Sequence, residues 1–296
     1  MNIIKKAFSL IELSIVIIVI SLLIFGIFKS NNLIANVKLT SAQNITRNSN
    51  INNIKNLRVW LEPTLPESII GVDNGFDKVD GEKISSWNDS KLDVDKINVT
   101  QTNTINMPIY ESKGISNLPS LRFDNDANKN LSSTKVPISA GDRTYTMVAV
   151  FRPTNLDAGW NRTIVSQGSS SSSDKQASIF YWYDKTFGII LSESLTMTPL
   201  KIYVENNYIT IAKFNTDKSK FSIYLNSNSP ELITDIDTGS FDISTDVFRI
   251  ASVSFSQWFF KGYISEILVF DRDLRQDEIE EINSYLSKKY SIDLVD

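Results

Sequence analysis

The sequence predicts a mainly β protein, with a long N-terminal transmembrane α-helix followed by an antiparallel β-sandwich and a short C-terminal helix. Three observations lead to this fold class. Residues 8–28 form an apolar run in which Glu12 is the one charged residue. From residue 55 onward, short segments alternate apolar and polar residues, as half-buried strands do. Near the end of the chain an apolar stripe recurs at helical spacing.

The apolar run has the length of a membrane-spanning helix. As an α-helix, residues 8–28 would rise about 31 Å, close to the hydrocarbon thickness of a bilayer. A secretory signal peptide is the alternative, but small residues for cleavage directly follow its apolar core of about 7–15 residues. Here Lys29 and Ser30 follow, and the chain has no cysteine for a lipoprotein signal. We therefore expect the helix to stay in the membrane.

The N-terminal motif carries a family resemblance. Two lysines and Ala7 precede the motif FSLIEL at residues 8–13. This arrangement resembles the class III signal of type IV prepilins and pseudopilins, although that family usually has Gly where Ala7 stands. The resemblance implies that a prepilin peptidase cuts between Ala7 and Phe8 and methylates the new amine. It also implies that Glu12 of one pilin subunit pairs with the Phe8 amine of a neighbouring subunit.

The pairing would explain a carboxylate in an apolar helix. Either charge left unpaired in apolar surroundings costs several kcal/mol, so the correct register would be favoured. The resemblance implies a single pass through the inner membrane with the head outside the cytoplasm, and then a place in a surface pilus or a periplasmic pseudopilus. The alternative is a binding module anchored in the inner membrane that never polymerises.

Three regions follow from these features. Residues 1–7 are the leader, residues 8–54 are the assembly helix with its linker, and residues 55–296 are the head. We expect the helix to continue past the apolar run and to end near residues 47–53, where Asn and Ser compete for backbone hydrogen bonds. A flexible hinge at that place is the alternative.

Composition excludes several classes of function. The chain has 296 residues, a net charge of −4 and a pI near 5.1, so it lacks the basic footprint of a nucleic-acid-binding protein. It contains no cysteine and no histidine. Disulfides, thiol chemistry, imidazole bases and His-ligated zinc are therefore excluded.

Six segments of the head have the alternating pattern of strands. In residues 220–226, Phe221, Ile223 and Leu225 share one face and polar residues share the other, which predicts a half-buried strand. The other five segments are residues 144–151, 177–183, 186–192, 208–214 and 263–270.

One helix is predicted after the strands. Its apolar stripe consists of Ile279, Ile282, Leu286 and Tyr290. Acidic residues begin the helix and lysines end it, which matches the helix dipole.

The head resembles the concanavalin A-like lectin/glucanase superfamily, in particular the laminin-G-like jelly rolls of bacterial surface proteins. The matching stretches are residues 57–64, 84–91, 118–126, 145–154 and 260–290. The chain departs from this family at Glu62-Pro63, where Asp-Ala is usual, and at Arg275, where the final helix usually has Ser or Thr. We expect Asp273 to cap that helix instead, with Gln276 closing a capping box.

The head is expected to bind a ligand without catalysing a reaction. Glucanases of this superfamily place several carboxylates on alternate residues of one strand. No segment of this chain has that pattern. Glu266 stands alone on its predicted strand, and the acids of residues 77–82 lie in turn-rich sequence, so both are interpreted as solvated charges. We therefore expect no enzyme and no obligatory cofactor.

Two ligand sites are candidates. Asp124, Asp126 and Asn128 supply closely spaced oxygen donors that suit Ca²⁺, although an Asx-rich turn has the same composition. Trp160 follows a glycine in a polar stretch and could stack on a sugar ring. The function predicted from all these features is a pilin-like filament subunit that displays a laminin-G-like adhesion head. A glycan or a surface protein would be its ligand.

Overall fold

The chain folds into two antiparallel β-sheets packed face to face, with the C-terminal α-helix and the end of the N-terminal α-helix on the outer face of the first sheet. The computed structural model describes residues 10–73, 75–124, 128–140, 144–156, 161–169, 176–182, 184–191, 194–215, 220–230, 232–235, 243–253 and 256–295.

The helices are α1 (Leu10–Arg47) and α2 (Gln276–Tyr290). The strands are β1 (Leu57–Leu61), β2 (Ile69–Gly71), β3 (Ile84–Trp87), β4 (Val99–Thr100), β5 (Ile109–Glu111), β6 (Ser120–Phe123), β7 (Leu131–Ser133), β8 (Tyr145–Pro153), β9 (Arg162–Gly168), β10 (Ala177–Tyr181), β11 (Thr186–Leu191), β12 (Ser194–Lys201), β13 (Tyr208–Asn215), β14 (Lys220–Leu225), β15 (Leu232–Asp235), β16 (Val247–Ile250) and β17 (Gly262–Phe270).

Strands far apart in the chain are neighbours in both sheets. The first sheet has the order β15-β14-β13-β8-β17-β6-β5, and β1 pairs with the half of β17 that β6 leaves free. The second sheet has the order β12-β11-β10-β9-β16-β7-β4-β3-β2. The sandwich and the C-terminal helix of the predicted fold class are thus confirmed.

A large apolar core lies between the two sheets. Trp87, Phe123, Phe151, Phe214 and Phe248 are among its fully buried side chains. All six segments predicted as strands are strands, and their alternation places one apolar face of each towards this core.

A second core lies between the first sheet and the helices. It includes Ala42 of α1, Trp60 of β1, Leu268 of β17 and Leu286 of α2. The predicted stripe of α2 is confirmed, because its four apolar residues are fully buried in this core.

This second core corrects the prediction for β14. Phe221 and Ile223 face the first core as expected, but Ser222 and Tyr224 on the opposite face are buried too. Tyr224 belongs to the second core, because the helical layer covers the face that was expected to meet solvent.

The start of α2 also differs from the prediction. The N-cap residue is Arg275, and its backbone N–H donates to Glu278 Oε2 at 2.9 Å. Asp273 does not cap the helix, because its carboxylate lies 2.8 Å from Lys213 Nζ and accepts from the Asn215 amide. The capping role of Gln276 is therefore wrong as well.

The N-terminal helix is continuous and ends where predicted. It runs to Arg47, and the chain then forms a short 3-10 turn at Ile51–Asn53. Ile51 is fully buried in the second core, so this turn is packed against the head instead of forming an open hinge.

The prediction of a transmembrane helix is wrong. Within the described residues no helix is long and apolar enough to cross a membrane, so the predicted single-pass location in the inner membrane is also overturned. Apolar side chains are exposed from Leu10 to Phe25, within the described part of α1. The carboxylate of Glu12 lies within this stretch.

Candidate binding face and buried ion cluster

A row of polar side chains crosses the outer face of the second sheet. Neighbouring strands place these residues directly opposite one another, so their side chains share one face. The row consists of Ser86, Thr100, Ser132, Arg249, Ser166 and Ser178. The adjacent residues Leu131, Ile250 and Val165 belong to the core between the sheets. Because side chains alternate along a strand, the polar row points away from that core.

Arg249 lies at the centre of this row. Its Nη1 donates to Asn130 Oδ1 at 3.1 Å, and Gln101 Nε2 donates to the same oxygen at 3.3 Å. Partial burial lowers the pKa of the Arg249 guanidinium, which nevertheless stays charged at neutral pH. The row therefore carries a cation framed by amides and hydroxyls.

Several hydroxyls near the row are buried without a partner. Thr163, Ser178 and Ser252 have no hydrogen-bond partner for their side chains among the described residues, and all three are almost fully buried. Ser166 Oγ, by contrast, donates to the Ser252 carbonyl at 2.9 Å. Buried hydroxyls normally have a partner, so these three are exceptions, and their burial places them beneath the surface of the face.

An aromatic group borders the row at the end of β10. The Phe180 ring packs edge-on against Trp182 with 6.2 Å between ring centroids, and it lies 6.4 Å from the Trp258 ring. Phe180 is fully buried, whereas Trp182 and Trp258 are partly exposed. Aromatic rings beside hydroxyls and a guanidinium suit the apolar and polar faces of a sugar.

A buried ion cluster lies on the opposite side of the first sheet. Glu266 on β17 accepts four hydrogen bonds, two on each carboxylate oxygen. Trp60 Nε1 and the Tyr285 hydroxyl donate to Oε1 at 2.7 and 2.8 Å. The Tyr290 hydroxyl and Lys289 Nζ donate to Oε2 at 2.8 and 2.9 Å. Protein donors therefore occupy both oxygens of this carboxylate, two on each.

Lys289 links this carboxylate to a second one. Its Nζ lies 2.9 Å from Glu62 Oε2. The side chains of Lys289, Glu62 and Glu266 are all completely buried. Glu62 also accepts the backbone N–H groups of Thr64 and Leu65. We use the term ion cluster for Glu62, Glu266 and Lys289 with Trp60, Tyr285 and Tyr290, which surround them.

The charges of the cluster support one another. Burial alone would raise the pKa of Glu62, but Lys289 and the hydrogen bonds outweigh it and lower that pKa. Burial alone would lower the pKa of Lys289, but Glu266 and Glu62 outweigh it and raise that pKa. Burial and the nearby Glu266 also raise the pKa of Tyr285 and Tyr290 well above 10.0. At neutral pH Glu62 and Lys289 are therefore ionised, and both tyrosines are donors.

The prediction that Glu266 and the acids of residues 77–82 are solvated charges is wrong at two positions. Glu266 is completely buried in the ion cluster. Glu82 is also buried, and it accepts the backbone N–H groups of Asp73 and Val79 in a turn. Asp77 and Asp80, in the same segment, are exposed as predicted.

The candidate calcium residues are only partly described. Asp124 lies 3.7 Å from Lys129 Nζ and 4.0 Å from Arg122 Nη2, so two cations compete for its carboxylate. Asn128 has a left-handed backbone with φ of 49°, which fits the Asx-rich turn. Asp126 lies outside the described residues. Across the described ranges no group of three acidic side chains could hold a metal ion, and calcium at this turn stays a prediction.

The other predicted site residues are mostly outside the described ranges. Ala7, Phe8 and Trp160 fall there, so the predicted processing and sugar stacking at these positions stay predictions. Glu12 lies in the first described turn of α1 and is exposed.

The comparisons with known proteins give only distant likenesses. No protein-family model matches the chain, so the predicted prepilin and pilin assignment has no family match behind it. No curated protein matches either. Among solved structures, a sialidase of Trypanosoma rangeli in complex with the inhibitor DANA has a TM-score of 0.49 at 12% identity, covering 76% of this chain and 32% of that one.

Two further structures illustrate the range. The CBM40 of the Ruminococcus gnavus IT-sialidase, bound to α2,3-sialyllactose, has a TM-score of 0.41 at 14% identity, covering 52% of this chain and 97% of that one. NanB with Optactamide has a TM-score of 0.45 at 15% identity, covering 54% of this chain and 26% of that one. The chain thus spans about a quarter of the length of NanB. With TM-scores below 0.5, these likenesses do not bear on function.

The ion cluster leads to a test of stability. Lys289→Met leaves two buried carboxylates without their cation, which is expected to lower the free energy of unfolding by about 3–5 kcal/mol. The control is Lys288→Met, because Lys288 is the preceding residue of α2 but is exposed; a change within about 0.5 kcal/mol is expected there. Urea unfolding followed by circular dichroism measures both. Equal effects of the two substitutions would contradict the role of the cluster.

Proposed function

We propose that the protein is a non-catalytic glycan-binding module, and that the exposed part of the polar row, formed by Thr100, Ser132 and Arg249, holds the saccharide. The observation that carries the proposal is the placement of Arg249 among amides and hydroxyls on a face turned away from the core. Hydroxyl, amide and guanidinium groups match the hydrogen-bonding groups of sugars, and the neighbouring rings of Trp182 and Trp258 suit their apolar faces.

The ion cluster supports a binding role over a catalytic one. Glycoside hydrolysis needs a pair of carboxyl groups that a sugar can reach. Glu62 and Glu266 are brought close to one lysine, but both are completely buried and their oxygens are occupied by protein donors. They hold the fold together and leave no carboxylate free for an acid or a nucleophile in that cluster.

A second role is self-association through α1. Large apolar side chains are exposed along its first described half, and Leu10, Ile11, Leu22 and Leu23 are each more than 60% exposed. An exposed apolar surface of this size normally marks an interaction site. Copies that pack through α1 would display several heads together, as the resemblance to filament subunits implies, and several weak sites would then bind with avidity.

The glycan proposal can be tested by substitution on the face. A glycan array with the full-length chain should identify a bound saccharide, and Arg249→Gln should weaken its affinity by about tenfold or more, because a hydrogen bond from a charged donor is lost. The control is Arg122→Gln, since Arg122 lies on the first sheet and pairs with Glu111 at 3.2 Å. An array without binding, or equal affinity of the Arg249→Gln and wild-type chains, would contradict the proposal.

Self-association has its own test. Ile17→Lys places a charge among the exposed apolar side chains of α1, and it is expected to shift the full-length chain towards monomers in sedimentation velocity. Val94→Lys is the control, because Val94 is an exposed apolar residue of the head, at 97% exposure. A chain that is monomeric before any substitution, or that associates equally after Ile17→Lys, would exclude α1 as the contact.

A further inference from the structure

A cleft of about 530 Å³ lies where the end of α1 meets the head. Its walls come from Arg47 of α1, Asn52 of the 3-10 turn, Trp60 of β1 and the loop of residues 88–98. It is distinct from the polar row. Arg249 lies on β16, three strands away from β3, which is about 14 Å at the usual spacing between strands.

The amide groups of the cleft are oriented by backbone donors. The Leu92 N–H donates to Asn52 Oδ1 at 3.0 Å, and the Asp89 N–H donates to Asn98 Oδ1 at 2.9 Å. A backbone N–H can only donate, so the atom facing it must be the amide oxygen. The NH₂ groups of Asn52 and Asn98 are left over, and neither has an acceptor among the described residues.

The acceptors of the cleft are already occupied. Asp89 receives the backbone N–H groups of Trp60 and Lys91 on Oδ1 and that of Ile97 on Oδ2. Its carboxylate also lies 4.0 Å from Lys91 Nζ. Asn88 accepts the Ser86 hydroxyl at 2.8 Å and donates to the Glu67 carbonyl at 2.9 Å.

Apart from the acid Glu67, the remaining polar groups are donors or cations. The Ser90 hydroxyl is buried and has no hydrogen-bond partner in the described part of the chain. Arg47 and Lys96 also line the cleft, and neither forms a salt bridge with another described residue. Glu67 is an exposed acid at the edge of the cleft. Burial lowers the pKa of Lys78, and the charge of Glu67 opposes that shift. A ligand of this cleft must therefore supply acceptors and negative charge.

The edge of the cleft is apolar. Phe76 is 53% exposed and Leu92 is 84% exposed, and both line the opening. An exposed ring beside a group of donors favours a ligand that has an apolar face as well as an anionic group.

We propose that this cleft binds a saccharide unit that carries a carboxylate. The amide NH₂ groups of Asn52 and Asn98, the Ser90 hydroxyl and the two cations receive the carboxylate and the ring oxygens, and Phe76 packs on the sugar ring. None of the residues that line this cleft belongs to the polar row, although Asn88 of the cleft accepts the hydroxyl of Ser86, the residue at one end of that row.

The test compares three small probes. The full-length chain, kept monomeric in a nonionic detergent, is titrated by calorimetry with methyl β-glucuronide, methyl β-glucoside and sodium acetate. The glucuronide is expected to bind at least tenfold more tightly than either other probe, because only it combines the ring with the charge. Equal affinity for the glucoside would overturn the requirement for charge, and equal affinity for acetate would overturn the assignment of a sugar. No binding of the glucuronide would overturn the site itself.

Substitutions locate the binding in the cleft. Asn98→Asp keeps the Oδ1 atom that accepts the backbone N–H of Asp89, but it replaces the NH₂ donor with an anionic oxygen. Glucuronide affinity should therefore fall by tenfold or more. Asn53→Asp adds the same charge in the neighbouring 3-10 turn outside the cleft and should leave the affinity unchanged. Ser90→Ala should weaken binding by about two- to tenfold through one lost hydrogen bond. Unchanged affinity in both cleft variants would overturn the proposal.

Arg249→Gln separates the two binding sites. It should leave glucuronide affinity unchanged if the cleft is the site, even where it abolishes binding on the glycan array. If Arg249→Gln loses glucuronide binding while Asn98→Asp keeps it, the cleft is not the site. The acidic sugar would then be assigned to the polar row. Urea unfolding of each variant identifies any that are destabilised.

Discussion

The salt bridges of Lys289 to Glu62 and Glu266 are the interaction on which the arrangement of the layers depends. Glu62 directly follows β1, Glu266 lies within β17 and Lys289 lies in the last turn of α2. The Tyr285 hydroxyl extends the cluster to Thr46 of α1 at 3.3 Å. Taking three charges out of water is costly, and only complete hydrogen bonding offsets that cost. The position in which every donor meets its acceptor therefore fixes how the helices sit on the first sheet.

This arrangement separates the surfaces of the head. The helices cover one face of the first sheet, and the second sheet covers the other. The polar row crosses the outer face of the second sheet. The cleft forms where the end of α1 meets the head, with Trp60 in its wall. Trp60 also donates to Glu266, so the ion cluster fixes the position of this side chain in the wall of the cleft.

Local pattern was sufficient for the six strands and the C-terminal helix that the sequence predicts. Alternation in residues 220–226 and the stripe from Ile279 to Tyr290 are properties of neighbouring residues, and both elements are where the sequence predicts them. The burial of Ser222 and Tyr224 could not be predicted, because the covering layer comes from elsewhere in the chain. An apolar run likewise indicates a helix, but it did not establish a membrane span.

The sites are formed by contacts between residues that are far apart in the sequence. Glu62 and Glu266 are separated by about two hundred residues, so Glu266 was interpreted as an isolated acid and Glu62 only as a departure from a family motif. The lysine that unites them looked like a residue that complements a helix dipole. A signal was present, because Glu62 and Glu266 lie within stretches that resemble the laminin-G-like family. The polar row arises from the register of strands β3, β4, β7, β16, β9 and β10, and register is not readable from one strand.

The most direct measurement of the central role of the cluster is the free energy of unfolding of the wild-type and Glu62→Gln chains between pH 3 and pH 8. The folded-state pKa of Glu62 lies below its ordinary value of 4.5, so its ionised form stabilises the fold above that pH. The advantage of the wild type should be constant from about pH 6 to pH 8 and should shrink as the pH falls below about 4.5, by at most about 1.4 kcal/mol per pH unit. An advantage that stays constant or grows down to pH 3 would contradict an ionised, paired Glu62 at the centre of the fold.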